Sequence, residues 1–219
     1  MAYGIRLKVW GDYACFSRPE MKVERVSYDI ITPSAARGIL EAIYWKPAIR
    51  WVIDKITVIN PIKFENIRRN ELLGKMSVSA VKKAYMGNKE VRLYQSTEDI
   101  VQRASLVLKD VCYYIEAHFE LTSKAGETDT EEKHFNIALR RARKGQCFHR
   151  PYFGCREFPV QFEFVEEETL ASCYEGTEKD LGFMLWDIDF NNEASPLFYR
   201  PIMKDGIVEI PDLLGGDKL

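Results

Sequence analysis

Cys112-Tyr-Tyr-Ile-Glu-Ala-His-Phe-Glu-Leu121 is the stretch whose reading decides the fold. Tyr113, Ile115, Ala117, Phe119 and Leu121 fall on one face at period two. Cys112, Tyr114, Glu116, His118 and Glu120 fall on the other. This alternation predicts a strand with one face on the core and one polar face. Upstream, Tyr3, Ile5, Leu7 and Val9 alternate with Gly4, Arg6, Lys8 and Trp10, which predicts a second such strand. Thr32-Pro33 opens a helix, because Thr caps and Pro suits the first turn. Ala36, Ile39, Leu40 and Ile43 form its apolar stripe, Arg37, Glu41 and Tyr44 follow an i, i+4, i+7 spacing on a flank, and Pro47 ends it. Ile49 to Ile59, rich in β-branched and aromatic residues, reads as a strand.

Downstream, a helix is predicted from Thr130 to Arg143. Its acids Glu131 and Glu132 lie in the first turn, its bases Arg140, Arg141 and Arg143 in the last, and Gly145 stops it. Pro159 to Val165 is another strand. Between the two halves, residues 60–110 read as a long insertion, partly mobile. Arg68-Arg69-Asn70 and Gly87-Asn88 look like loop and turn signals, and Gln102 to Val111 is ambiguous between helix and strand. The order β-α-β, insertion, β-α-β predicts an α+β, ferredoxin-like (RRM-like) βαββαβ domain over residues 1–166, with two helices on one face of an antiparallel sheet. RNA-recognition domains of this order bind RNA on the open sheet face, which sets only a prior on function. Residues 167–219 are expected to form a small C-terminal antiparallel β-sheet domain. It would hold a strand over Gly182 to Phe190 and a hairpin turning at Asp205-Gly206. Gly215-Gly216 belongs to a terminal tail.

Composition narrows the function classes. Of 219 residues, 46% are hydrophobic and 29% charged, which excludes a disordered or collagen-like chain. No run of about 18 apolar residues is present, so no membrane partner is expected. The N-terminus lacks the basic and apolar regions of a signal peptide, and a cytosolic location is expected. Five cysteines are scattered without a CxxC pair, and three histidines lie far apart. A structural metal is therefore not expected, nor any other cofactor.

Net charge is −2, yet charge is segregated. Lys133 to Arg156 contains Lys133, Arg140, Arg141, Arg143, Lys144, Arg150 and Arg156 and no acid. Glu157 to Glu193 contains eleven acids against Lys179 alone. The basic segment suits phosphate; it equally suits a solvated helix face or an internal partner for the acidic stretch.

Two positions invite chemistry. His118 lies on the polar face of its strand, and an unperturbed imidazole can give and take protons near neutral pH; the alternative is a sheet histidine paired with Glu116 or Glu120. Tyr44, on a helix flank with Lys46 close behind, can hold a hydroxyl or phosphate; the alternative is packing at a helix end. Such groups suit RNA cleavage by its own 2′-hydroxyl, which needs a group on that hydroxyl, a cation on the phosphate and an acid for the 5′-oxygen. Asp187 and Asp189 share a strand and can be read as metal ligands or as a solvated edge. No phosphate-binding loop, nucleophile elbow or dinucleotide fingerprint is present.

Four blocks then carry a resemblance: Leu7-Lys-Val-Trp-Gly-Asp-Tyr-Ala-Cys-Phe, Thr32 to Pro47, Glu116-Ala-His-Phe, and Tyr152-Phe-Gly-Cys-Arg-Glu-Phe-Pro. Together they resemble a CRISPR-associated family, the fifth-numbered Cas proteins of subtype I-C in the RAMP superfamily, over nearly the whole chain. The resemblance implies a ferredoxin-like domain with a small C-terminal sheet. It implies metal-independent cleavage of CRISPR repeat hairpins to a 2′,3′-cyclic phosphate. It further implies retention on the mature guide RNA, assembly with the backbone and large subunits of Cascade, and, for some members, double-stranded DNA binding. Family roles fall on Tyr44 and His118 as catalytic residues. The family lysine lies where this chain has Glu116 and Ala117, and Lys46 or Lys109 would take its place. The handle-binding surface falls on Arg37, Arg140, Arg141, Arg143, Lys144, His149, Arg150 and Arg156, with the superfamily's glycine-rich loop near Gly145 to Gly154. Non-catalytic binding of the RNA handle, or of DNA, is the alternative reading.

Overall fold

The computed structural model describes residues 4–21, 23–74, 77–87, 100–166, 171–190 and 192–213. Four strands and two helices form the centre: β1 (Gly4–Ala14), α1 (Pro33–Ile43), β2 (Ile49–Val58), β4 (Ile100–Leu121), α3 (Glu131–Arg143) and β5 (Gln161–Phe164). Between β2 and β4 lie β3 (Phe64–Leu72) and α2 (Val78–Tyr85). The central strands are ordered β5-β1-β4-β2, and every pairing is antiparallel. Because β1 and β2 both run against β4, which lies between them, they are parallel to each other and α1 is their crossover. The fold is mixed α and β with a mostly antiparallel sheet.

The alternation in sequence positions the faces. Ile5, Leu7, Val9, Trp51, Ile53, Ile115, Ala117 and Phe119 are buried on the helix side, with Ala36, Ile39, Leu40 and Ile43 of α1 and Ala138 and Ala142 of α3. Thr32 caps α1 by accepting the Ala35 N–H at 3.3 Å, and Thr130 caps α3 by accepting the Lys133 N–H at 3.2 Å. The far face is less polar than the alternation predicts. Cys112, Tyr114 and Ile59 form a second small core there, beside Trp10 and Val165.

Three expectations meet a different arrangement. Arg68-Arg69-Asn70 lies inside β3, which pairs with β4 from Phe64↔Leu108 to Leu72↔Ile100. Gln102 to Val111 is strand: β4 runs for 22 residues, its first half in a long arm with β3, and Asp110 at φ 53° interrupts it between the halves. Cross-strand pairing supplies what local propensity lacked at these positions. The C-terminal strands do not form a sheet of their own. β10 (Ile207–Glu209) pairs with β2, and β9 (Ile202–Lys204) and β6 (Glu178–Asp180) continue the main sheet outward. Among the described residues, only β7 (Met184–Asp189) and β8 (Ser195–Tyr199) stand apart, as a two-stranded pair. An unpaired edge of β2 is a docking line for any later strand, which a reading of local pattern does not see.

The β9–β10 turn does fall at Asp205-Gly206, at φ 54° and 79°. A Cβ on Gly206 would stand 2.0 Å from Ser172 Oγ, so glycine is required there. The expected boundary at 166/167, the turn at Asn88 and the tail at Gly215-Gly216 adjoin or lie among residues outside those described. No described helix is long and apolar enough to cross a membrane.

Candidate nucleic-acid interface

Tyr44 ends α1. Its backbone is extended, φ −152° and ψ 120°, so it leaves the helical register that would have put it on the flank. The side chain turns inward and is 2% exposed. Its hydroxyl lies 2.7 Å from His134 Nδ1, and its carbonyl accepts the Trp51 indole N–H at 2.8 Å. His134 is 1% exposed, and its Nε2 stands 3.2 Å from Asp129 Oδ1 without hydrogen-bond geometry. With Nε2 facing a carboxylate, the tautomer protonated at Nε2 leaves Nδ1 to accept from the Tyr44 hydroxyl. The Arg141 guanidinium lies 5.2 Å from the Tyr44 ring centroid and donates to the Ile43 carbonyl at 2.8 Å. Burial pushes the Tyr44 phenol above its usual range, Arg141 opposes this, and Asp129 adds to it.

His118 projects from the other face of β4, between the core-facing Ala117 and Phe119. The partners expected for it are already engaged. Glu116 accepts from Arg6 at 2.7 Å, with Lys55 at 4.0 Å, and Glu120 from Arg50 at 2.7 Å. His118 Nδ1 is instead held by both Asp54 oxygens, at 2.8 and 3.0 Å. Asp54 lies where the β2–β4 register shifts between Ile53 and Lys55, and such irregularities re-aim a side chain. A carboxylate on Nδ1 fixes the tautomer and leaves Nε2 to take up or release a proton.

The sheet therefore separates the two expected catalytic groups. Tyr44 is inside on the helix face, and His118 is half-exposed on the other. Lys46 is exposed on the turn where Pro47 and Ala48 accept from Thr122, at the end of β4. Lys109 is bound to Glu65 at 2.9 Å and sits nine residues up β4 from His118, a separation of roughly 30 Å at about 3.3 Å per residue. Arg6, Lys55 and Arg50 are the cations that the register places around His118, and sequence reading missed them because pairing partners are not written in local pattern.

The basic segment divides in two. Arg37 forks onto Asp187, which is buried, and also meets Glu41 at 3.3 Å, so it ties α1 to β7. Asp187 is thus neither a solvated edge nor a metal ligand. Arg141 is spent on the end of α1, and Arg143 is paired with Glu166 of the acidic stretch. Arg140, Lys144, Arg150 and Arg156 are exposed and form no ion pair with a described residue. His149 is exposed, its Nδ1 3.3 Å from the Arg150 carbonyl. On the open sheet face, by contrast, the cations Arg6, Lys8, Arg50 and Lys55 all have carboxylate partners. Within the basic segment, the cations without a carboxylate partner among the described residues lie at the end of α3 and in the loop after it.

That loop is anchored at both ends. The Phe148 N–H donates to the Ala42 carbonyl at 2.8 Å, which pins the loop to the end of α1. Gly154, at φ 75°, sits so close to β1 that a Cβ would stand 2.0 Å from the Cys15 carbonyl oxygen. Among the described residues, no group of three His, Cys, Asp or Glu side chains is placed to hold a metal ion.

This fold has known counterparts. Residues 4–211 match the family described as CRISPR-associated protein (Cas_Cas5), of the Cas5d type. The chain belongs to that family. It is 54% identical over 216 residues to the CRISPR pre-crRNA endoribonuclease Cas5d of Mannheimia succiniciproducens, covering 96% of each chain. It is 39% identical to the protein of the same name from Thermus thermophilus, covering 94% of this chain and 91% of that one. Among solved structures, a CRISPR-associated protein superposes with a TM-score of 0.71 at 25% identity, covering 98% of this chain and 94% of that one. A functionally uncharacterized protein of Streptococcus mutans shares the fold, with a TM-score of 0.68 at 24% identity, covering 99% and 95% of the two chains.

Proposed function

We propose that this protein is a pre-crRNA endoribonuclease that cuts CRISPR repeat hairpins and stays on the product RNA as a subunit of a type I-C Cascade. The observation that carries this reading is the near-full-length identity of 54% to a relative of that name. The central strand order β5-β1-β4-β2 supports the finer assignment of the core as ferredoxin-like, with residues 167–219 as a C-terminal addition built onto its edge. A substrate transcribed in the cell agrees with a cytosolic location.

The chemistry proposed is attack by the RNA 2′-hydroxyl on the adjacent phosphate, giving a 2′,3′-cyclic phosphate and a free 5′-hydroxyl without a metal. His118, oriented by Asp54, moves a proton at Nε2. A cation must meet the negative charge of the pentavalent phosphate, and Lys46 supplies it at the end of β4. Tyr44 orients the 2′-hydroxyl; with its own hydroxyl bound inside, it does so only by exchanging His134 for RNA. Arg140, Lys144, His149, Arg150 and Arg156 hold the handle, while Arg37, Arg141 and Arg143 shape the surface from behind.

The sheet standing between Tyr44 and His118 favours a second reading, a non-catalytic subunit that binds the RNA handle or double-stranded DNA. One experiment separates the two. Cognate repeat hairpin is incubated with the protein in EDTA, beside a copy with a single 2′-deoxy nucleotide at the cut. Cleavage of the first and not the second supports the ribonuclease; tight binding with neither cut supports the second reading.

A further inference from the structure

Two large aromatic side chains stand in water beside the cations of the basic segment that have no carboxylate partner among the described residues. Trp45 is 51% exposed and Phe148 is 83% exposed. They come from distant parts of the chain, yet the loop that carries Phe148 is bonded to the last turn of α1, just before Trp45. The Phe148 and His149 N–H groups both reach the Ala42 carbonyl, at 2.8 and 3.4 Å, and Arg141 donates to the Ile43 carbonyl. Gly145, at φ 62°, turns the chain out of α3 so that this can happen. Both rings thus project from segments fixed to the last turn of α1, which makes their spacing a property of the fold and not of a loose loop. Around them stand Lys46, Arg140, Lys144 and Arg150, exposed and without an ion pair to a described residue.

That combination selects a ligand class. A protein interface would pair an apolar centre with depleted charge. A nucleic-acid duplex offers phosphates, sugars and base edges but keeps the faces of its bases stacked inside. Unpaired nucleotides present both a π-face and a phosphate, which matches aromatic rings set among free cations. The other prominent exposed aromatic rings do not share the setting. Phe183 and Phe190 lie within the acidic stretch, which repels a phosphate backbone, and Tyr85, though it follows the exposed Lys82 and Lys83, is a single ring with no second aromatic residue on α2.

We propose that Trp45 and Phe148 form a stacking platform for unpaired bases flanking the repeat hairpin, so that this face reads the single-stranded flank. The proposal rests on the RNA-processing reading above and adds to it which part of the RNA is held and by what.

The test uses the full-length protein and two RNAs: the repeat hairpin with its single-stranded flanks, carrying 2-aminopurine at successive flank positions, and the same hairpin trimmed blunt. Base–aromatic stacking is worth about 1–3 kcal/mol per base, so Phe148→Ala and Trp45→Ala should each weaken binding of the flanked RNA by roughly 5- to 150-fold. Affinity for the blunt hairpin should not change, and Phe148→Trp should restore flank binding. The 2-aminopurine quenching that marks one flank position in the wild type should disappear in Phe148→Ala. Lys144→Ala, by contrast, should weaken both RNAs and flatten the salt dependence. Equal losses on both RNAs, or no loss on either, would overturn the platform. If the wild type binds the flanked RNA but never cuts it, the platform stands and the cleavage reading falls. If the wild type cuts and Phe148→Ala binds like it, the platform falls and the cleavage reading stands. Failure of the wild type to bind either RNA overturns both.

Discussion

The Tyr44 hydroxyl and His134 Nδ1 lie 2.7 Å apart inside the protein, joining the end of α1 to α3 across 90 residues of sequence. Both groups are sealed from water, so neither can replace the other's bond with solvent. Tyr44→Phe leaves His134 Nδ1 without a donor and should cost about 1–3 kcal/mol of stability. His134→Phe orphans the tyrosine in the same way. The double variant should lose less than the sum of the two single changes. Urea unfolding of the four proteins checks this, and additive losses would show that the bond carries no coupling.

Asp54 makes a different claim on His118. It is not one of the residues expected to bind RNA, yet it fixes which ring nitrogen faces outward. His118→Ala should lower cleavage by at least about a hundredfold, the usual scale for an acid–base group. Asp54→Asn keeps the shape of the contact but lets Nδ1 accept from an amide, which favours the wrong tautomer. It should lower the cleavage rate and change its pH profile while repeat-RNA affinity holds. A loss of affinity equal to the loss of rate would mean that Asp54 acts on binding alone.

The legible and illegible parts of the fold differ in physical origin. Period-two alternation in Cys112–Leu121 and the capped apolar stripe of α1 are local signals, and the structure realises both. The fate of Tyr44 was hidden because an i, i+7 spacing has meaning only while the chain stays helical, and α1 stops one residue earlier. Asp54 was invisible as a partner for His118 because the register shift that aims it belongs to the pairing of two strands. Likewise Arg37 reads as a free helix-face cation until β7, 150 residues later, brings Asp187 under it. Charge segregation was legible as a surface, but the count of bases did not say which are spent inside.

Arg37 offers a direct check on that last distinction. Its fork on a buried carboxylate makes it a tie between α1 and β7. Removing one partner of such a pair leaves an uncompensated buried charge, at a cost of about 3 kcal/mol or more. Arg37→Ala should therefore lower the unfolding midpoint markedly. At a temperature where the variant remains folded, its affinity for repeat RNA should stay within about twofold of wild type, whereas loss of one phosphate contact through Arg140→Ala should reduce the salt slope by roughly 0.7–0.9. Folded Arg37→Ala with weakened RNA binding and a reduced slope would return Arg37 to the RNA surface.

Cys155 supplies a prediction from pH. Its sulfur accepts from Arg25 Nη1 at 3.8 Å, and in the protonated form the thiol donates to the Cys15 carbonyl at 3.7 Å. The bond from Cys15 favours the Cys155 thiolate most; Arg25, Arg69 and Ser17 add to it, and burial opposes. Together they bring Cys155 down to about 6, while Cys15 is pushed up. An acid whose value falls below the ordinary thiol range is already ionised at neutral pH, and the thiolate is the nucleophile. Cys155 should be alkylated by iodoacetamide with a midpoint near pH 6. Cys173 is exposed and its thiol is raised by burial, so it should need alkaline pH. Peptide mass mapping across pH reads both sites in one sample. Arg25→Ala should move the Cys155 midpoint upward, since it removes a positive charge that holds the thiolate. A Cys155 midpoint above pH 8 in the wild-type protein would show that the contacts with Cys15 and Arg25 do not stabilise the ionised form.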